Sequence, residues 1–176
     1  ARYGVEQRFL DLGAIFADSA CSLLAGSAEP LPTGAYAEQQ VAAGGGPVST
    51  YVPFRNGLFL SAAASMALSL ECSVVGYGAH HDDWAGAAYP DCSAEFVGAM
   101  ARAVSEGTGG QLSLEAPFVA WSKADIVAEG LRLGVPFELT WSCYEGGEAP
   151  CGRCATCLDR AAAFAAHGVA DPALAA

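Results

Sequence analysis

Basic side chains are scarce in this chain. Lys and Arg number 8 against 19 Asp and Glu, giving a formal net charge of −11 and a pI near 4.4. Nucleic-acid affinity comes largely from neutralising phosphates, so this balance excludes a general polyanion-binding surface. A nucleotide pocket stays open, because it needs only local donors or a metal ion. Charged residues of both signs make up 15%, and no apolar run is long enough to span a membrane. No signal peptide is visible, and the chain begins at Ala1 rather than Met. With 176 residues it suits one domain with a substantial core (1–176) and is short for two. No internal repeat is apparent.

Cysteine is present and unevenly placed. Cys143, Cys151, Cys154 and Cys157 fall in one short stretch with the spacing C-x7-C-x2-C-x2-C, and Cys21, Cys72 and Cys92 are scattered. A C-x2-C turn points two sulfurs at one ion, and four thiolates close a tetrahedral structural zinc site with no place for water. Gly152 eases the turn between ligands. Arg153 and Arg160 are positioned to offset the excess thiolate charge. An iron–sulfur cluster or a pair of disulfides would also use such a run. The odd cysteine total and the absence of a leader favour a reducing cytoplasm.

Along the chain, residues 9–16 read as a short strand, 18–24 as one or two helical turns and 26–50 as a mobile Gly- and Pro-rich loop. A helix follows over 56–70, then a buried strand at 73–78, a loop over 79–92 and a helix over 94–105. A further strand spans 111–118. Ser122 and Asp125 form a capping box for a helix that runs to Arg132 and stops at Gly134. The metal segment, 141–160, leads into a last helix through Phe164. Alternating strands and helices predict an α/β fold with a parallel sheet, whose ligands sit beyond the carboxyl ends of the strands.

The loops at those ends supply the candidate site residues. Arg55 and Asn56 lie where an extended segment turns into a helix, a place that offers free N–H groups to anions; Asn56 is equally suited to be an N-cap. His80, His81, Asp82 and Asp83 follow a buried strand and can transfer protons or hold a metal. Tyr89-Pro90-Asp91-Cys92 suits a turn, with Asp91 placed to cap the helix from Ala94. Lys123 opens a helix, where its charge opposes the macrodipole, and a phosphate is one explanation for it.

These segments resemble, in order, the 7-cyano-7-deazaguanine synthase family of the queuosine pathway, called QueC. The matching stretches are Val52-Pro53-Phe54-Arg55-Asn56, Gly78-Ala79-His80 with Asp83, Tyr89-Pro90-Asp91-Cys92, Glu106-Gly107-Thr108-Gly109-Gly110 and Glu115-Ala116-Pro117-Phe118. They continue through Trp121-Ser122-Lys123-Ala124-Asp125, Leu133-Gly134-Val135-Pro136 up to Gly147, and Pro150 to Cys157. The resemblance covers about residues 48–164. It implies a Rossmann-like parallel sheet with helices on both faces, of the adenine nucleotide α-hydrolase type, with a C-terminal zinc loop. It implies an ATP- and Mg²⁺-dependent ligase that converts 7-carboxy-7-deazaguanine and ammonia to the nitrile through an adenylated intermediate, as a cytoplasmic homodimer. On this resemblance Arg55, Asp83 and Lys123 are the catalytic candidates. Asn56, His80, Tyr89 and Asp91 are the substrate-binding ones, and the four clustered cysteines hold structural zinc.

The family's N-terminal Ser-Gly-Gly-x-Asp-Ser phosphate loop has no counterpart in these residues, although Tyr3-Gly4 resembles a landmark that follows it. If residues 1–5 and 9–12 are successive parallel strands, the link between them is too short for a crossover, and residues are missing near Gln7-Arg8. Ser93 also stands where the family usually has Arg, and two extra residues lie near Gly86-Ala87-Ala88. Two other readings share the motifs: an enzyme adenylating another carboxylate, such as a protein terminus, and a degenerate, non-catalytic binding module. The substrate pocket discriminates the first, and an intact phosphate loop in the encoded protein would exclude the second.

Overall fold

The computed structural model describes residues 3–174. Its centre is a parallel pair of strands, β1 (Val74–Gly76) and β2 (Ser113–Glu115), with Val75 opposite Leu114. Six helices accompany them: α1 (Tyr36–Ala42), α2 (Arg55–Ser69), α3 (His81–Trp84), α4 (Ala94–Gly107), α5 (Lys123–Leu133) and α6 (Ala155–Ala165). The expected α/β fold with a parallel sheet is therefore present, and the strands predicted at 73–78 and 111–118 appear in shorter form. Strand periodicity decides the core. Val75 and Leu114 point inward while Val74, Gly76, Ser113 and Glu115 are exposed. Leu60, Ala64 and Ala67 of α2 and Val104 of α4 close over the inward face with Leu112. Among the described residues the opposite face is open. No helix in them is long and apolar enough to cross a membrane.

Several boundaries differ from expectation. Residues 3–12 form no strand, and Gly13–Phe16 is a 3₁₀ turn rather than a strand's end. Tyr3, Val5, Phe9 and Leu10 are exposed, and a strand exists only where a neighbour accepts its hydrogen bonds. Residues 1–2 of the expected first strand lie outside the described residues. The 18–24 segment makes turns, not a helix. Within the expected mobile loop, 36–42 is helical. The Glu38 carboxylate accepts the Ala35 N–H at 3.1 Å, which ties the first turn, and Gly44, Gly45 and Gly46 end the segment with positive φ.

The capping residues were also partly redistributed. Ser122 and Asp125 cap α5 reciprocally, and Gly134 terminates it at φ 67°, both as the sequence predicts. Asn56 is not an N-cap, because α2 begins at Arg55 behind a left-handed Phe54. Asp91 does not cap α4. Ser93 does, accepting the Phe96 N–H at 3.0 Å, while the Asp91 carboxylate accepts the Asn56 N–H in the first turn of α2.

α5 and α6 pack through Val127, Ala163 and Phe164, with the Phe137 ring edge-on to Phe164 at 5.0 Å. A Cβ on Gly130 would run into that Phe137 ring, so glycine there sets the close approach. Arg160 of α6 does not serve the cysteine loop. Its guanidinium pairs with Asp171 at 2.6 Å, bonds Thr140 and the Phe137 carbonyl, and lies over the Phe164 ring.

That buried pair carries a stability prediction. Hydrogen bonds from Arg160 hold the Asp171 carboxyl below its ordinary value. A depressed carboxyl contributes stability above its unfolded pKa of about 3.9 and loses it as pH falls through the folded value. Asp171→Asn should cost about 3 kcal/mol in denaturant unfolding at pH 7, since it leaves Arg160 unpaired. It should also flatten the acid limb of the stability profile below about pH 4.

Candidate functional site

The loop after β1 docks onto the start of α5. The His81 N–H donates to the Trp121 carbonyl at 2.9 Å, and the Asp82 carboxylate accepts the Lys123 N–H at 2.7 Å. Asp82 thus takes one of the free donors at the N-terminus of α5, where a negative charge is favoured. The next turn brings His80 Nε2 to 3.2 Å from Asp83 Oδ2. His80 is 9% exposed, and its Nδ1 has no protein partner. Lys123, the only lysine in the chain, reaches from α5 to Asp159 of α6, Nζ to Oδ2 3.6 Å.

Lys123, Asp82 and Asp159 line a cavity of about 550 Å³ whose other wall is α1, through Tyr36, Ala37 and Gln40. His80, Asp83 and Lys123 thus form one electrostatic cluster, as their mutual influence shows. Burial lowers the His80 pKa, the Lys123 charge adds to this, and Asp83 opposes it. Burial likewise raises Asp83, against the attraction of His80 and Lys123.

Arg55 is not brought into this cavity. It borders a separate one of about 290 Å³ among Leu10, Leu12, Phe16, Leu23 and Phe59. Next to Arg55, from Asn56 onward, lies a packed polar network. The Asn56 side-chain amide donates to the Asp91 carbonyl at 3.4 Å and to Cys92 Sγ at 3.3 Å, and the Tyr77 hydroxyl donates to the same carbonyl at 2.7 Å. Asn56 and Asp91 are both buried, and their polar atoms face each other and Cys92. Burial pushes the Cys92 thiol up to about 11. Tyr89 belongs to a hydroxyl cluster. Its oxygen lies 2.6 Å from Thr50 Oγ1 and 3.0 Å from the Tyr144 hydroxyl, which is itself 3.0 Å from that of Tyr36. Burial raises all three tyrosines, so they meet as neutral hydroxyls.

The four cysteines of the 143–157 loop bring their sulfurs within 4.8 Å of one another, and Cys151 and Cys157 stand 4.0 Å apart. All seven cysteines are free thiols, which removes the disulfide reading. Sulfurs bound at ~2.3 Å to one tetrahedral ion stand this close. An iron–sulfur cluster spreads its four cysteines over two or four irons and needs a wider cage. The donor set therefore fits a single ion such as zinc. Amide N–H groups point at the sulfurs, from Cys151 to Cys143 and from Cys154 to Cys151, each at 3.4 Å. Burial works against thiolate at Cys154, but the Thr156 hydroxyl and nearby backbone donors outweigh it and bring the thiol down to about 6. Burial raises Cys157 to about 12. Arg153 is engaged by Glu145 at 2.8 Å and so brings the loop no uncompensated positive charge.

Asp159, Tyr36 and Tyr144 are site residues that the motif reading does not single out. Asp82 was visible only as part of the His-Asp run. Asp159 lies two positions after Cys157, and the helical start of α6 carries it to the cavity. Tyr36 sits in the segment read as loop.

A titration tests the His80 environment. By NMR the His80 ring should protonate below the ordinary histidine value of about 6.5. Asp83→Asn should lower that midpoint further, because it removes the attraction that favours the charged ring. A midpoint above 7 would contradict the burial argument.

Comparison with known proteins finds relatives along nearly the whole chain. The family model described as queuosine biosynthesis protein QueC matches residues 1–168. A 7-cyano-7-deazaguanine synthase of Caldicellulosiruptor saccharolyticus is 45% identical over 168 residues, covering 96% of this chain and 71% of the relative. The synthase of Archaeoglobus fulgidus is 52% identical over 126 residues, 71% of this chain and 52% of its own length. That of Marinobacter nauticus is 40% identical over 169 residues, 96% of this chain and 72% of its own. With a match along nearly its whole length, the chain belongs to the QueC family.

Proposed function

We propose that this chain serves 7-cyano-7-deazaguanine synthesis, the activity for which its relatives are named. The observation that carries the reading is the cavity at the start of α5, which joins the chain's only lysine to Asp82, Asp159 and the neighbouring His80–Asp83 pair. In the proposed reaction the substrate carboxylate attacks the α-phosphorus of ATP and releases pyrophosphate. Ammonia then displaces AMP and forms an amide. The amide oxygen attacks the α-phosphorus of a second ATP and releases a second pyrophosphate, and loss of AMP with two protons leaves the nitrile.

Lys123 is suited to hold the carboxylate and to stabilise charge that grows on the oxygen being adenylated. Asp83, raised by burial, is suited to accept a proton from the incoming ammonia, with His80 orienting it. Mg²⁺ belongs with ATP in this scheme. Arg55 is left out of the catalytic set because it borders the other cavity. Asn56 and Asp91 are assigned to holding α2, and Tyr89 to holding Tyr36 and Tyr144. Cys143, Cys151, Cys154 and Cys157 would hold a structural zinc, whose chemistry is to fix the loop that carries Tyr144. A homodimer, implied by the sequence resemblance, is part of the same reading.

Two measurements test it. Incubation of the full-length encoded protein with 7-carboxy-7-deazaguanine, ammonium and Mg-ATP should yield the nitrile and AMP by mass spectrometry, whereas residues 1–176 alone, in which the phosphate loop has no counterpart, should bind ATP poorly. Binding of the deazapurine without turnover would support the binding-module reading instead, and turnover of a different carboxylate the other adenylating enzyme. Elemental analysis should find one zinc per chain, and Cys143→Ser should lower both zinc content and the thermal midpoint. Iron with acid-labile sulfide would overturn the zinc assignment.

A further inference from the structure

We propose that Asp159, beside Lys123, reads the lactam edge of a guanine-type base in the cavity between α1, α5 and α6. The inference rests on the synthase reading above and adds a recognition residue to it. Its size, about 550 Å³, falls in the range of small-molecule sites. Its walls carry Ala37, Ala124, Ala162 and Ala163. Their methyl groups offer apolar contact of the kind that a planar ring face makes.

The polar end is an ion pair that is not closed. Lys123 Nζ and Asp159 Oδ2 stand 3.6 Å apart, beyond hydrogen-bond length, and both side chains are partly exposed to the cavity. A guanine-type edge presents a carbonyl, then a ring N–H, then an amino group. An ammonium donates to the carbonyl, as lysine does to guanine O6. A carboxylate only accepts, and its two oxygens take the adjacent ring N–H and amino N–H in parallel. An adenine-type edge reverses the first two groups. It sets a donor against Lys123 and a lone pair against Asp159, so both charges lose their partners. Asp82, the other carboxylate at the cavity, is already taken up by the Lys123 N–H and His81.

Calorimetric titration with 7-deazaguanine, its N1-methyl derivative and 7-deazaadenine tests the assignment. The wild-type protein should bind 7-deazaguanine at least about tenfold more tightly than either analogue. Asp159→Asn, with circular dichroism and metal content unchanged, should lose most of that preference, and Asp159→Glu should keep part of it. Preference intact in Asp159→Asn, or equal weakening of all three ligands, overturns the proposal while leaving the synthase reading in place. Should Asp159→Asn not fold, the N1-methyl derivative decides: if the wild type binds it as well as the parent base, Asp159 does not read that edge. Wild-type protein that binds none of the three bases removes the synthase reading and this inference together.

Discussion

Four sulfurs held within 4.8 Å of one another are the constraint on which the C-terminal half depends. Thiolates at that separation repel, and burial adds to the cost of charging them. Two amide donors, the Thr156 hydroxyl and the start of α6 offset part of this. A divalent ion in their midst would supply the rest and turn repulsion into folding energy. The loop has few other means of holding its shape. Trp141 bonds the Cys143 carbonyl and Thr156 bonds the Ser142 carbonyl, but Glu145 to Gly147 are exposed.

The loop's order reaches the cavity through α1. The Gly34 N–H donates to the Arg153 carbonyl, and the Tyr36 hydroxyl meets Tyr144, the residue after the first ligand. α1 has only seven residues, too few to be stable alone. It stands because both its ends are bound elsewhere, to the cysteine loop and, through Gln40, to the carbonyls of Ala85 and Gly86. One wall of the cavity is thus a short helix held by tertiary contacts, while the other two are α5 and α6, packed together by Phe137 and Phe164. Stability is uneven around the site, and it is least in the wall formed by α1.

What could be read from the chain follows from how local each signal is. The α5 cap is written in four residues, Ser122 to Asp125, and the sequence reading found it. The cysteine spacing is equally local. The partnership of Asp91 with α2 was not legible, because it joins positions 35 residues apart and Asp-Cys before a helix looks like a cap for the nearer one. The 9–16 strand failed for the related reason that strand pairing is never local. Apolar residues there match a strand's composition, yet nothing among the described residues pairs with them. Arg55 and Lys123 both sit at helix starts, and topology alone placed them together. The side chains diverge because the start of α2 is bound into the Asp91–Cys92 network, which turns Arg55 toward Leu10 and Phe16 instead.

Charge gives the site a further logic. A chain of net charge −11 holds its only lysine among Asp82, Asp83 and Asp159, so the local sum is negative before any ligand arrives. A bare carboxylate is a poor guest in such a place, for Lys123 alone cannot offset three acids. A guest that brings hydrogen-bond donors along with its carboxylate fares better, since the donors occupy the acids and release Lys123 for the anion. A nucleotide accompanied by a divalent cation meets the same condition. On the proposed reading the acidic surroundings therefore select for substrates that carry donors or metal with them.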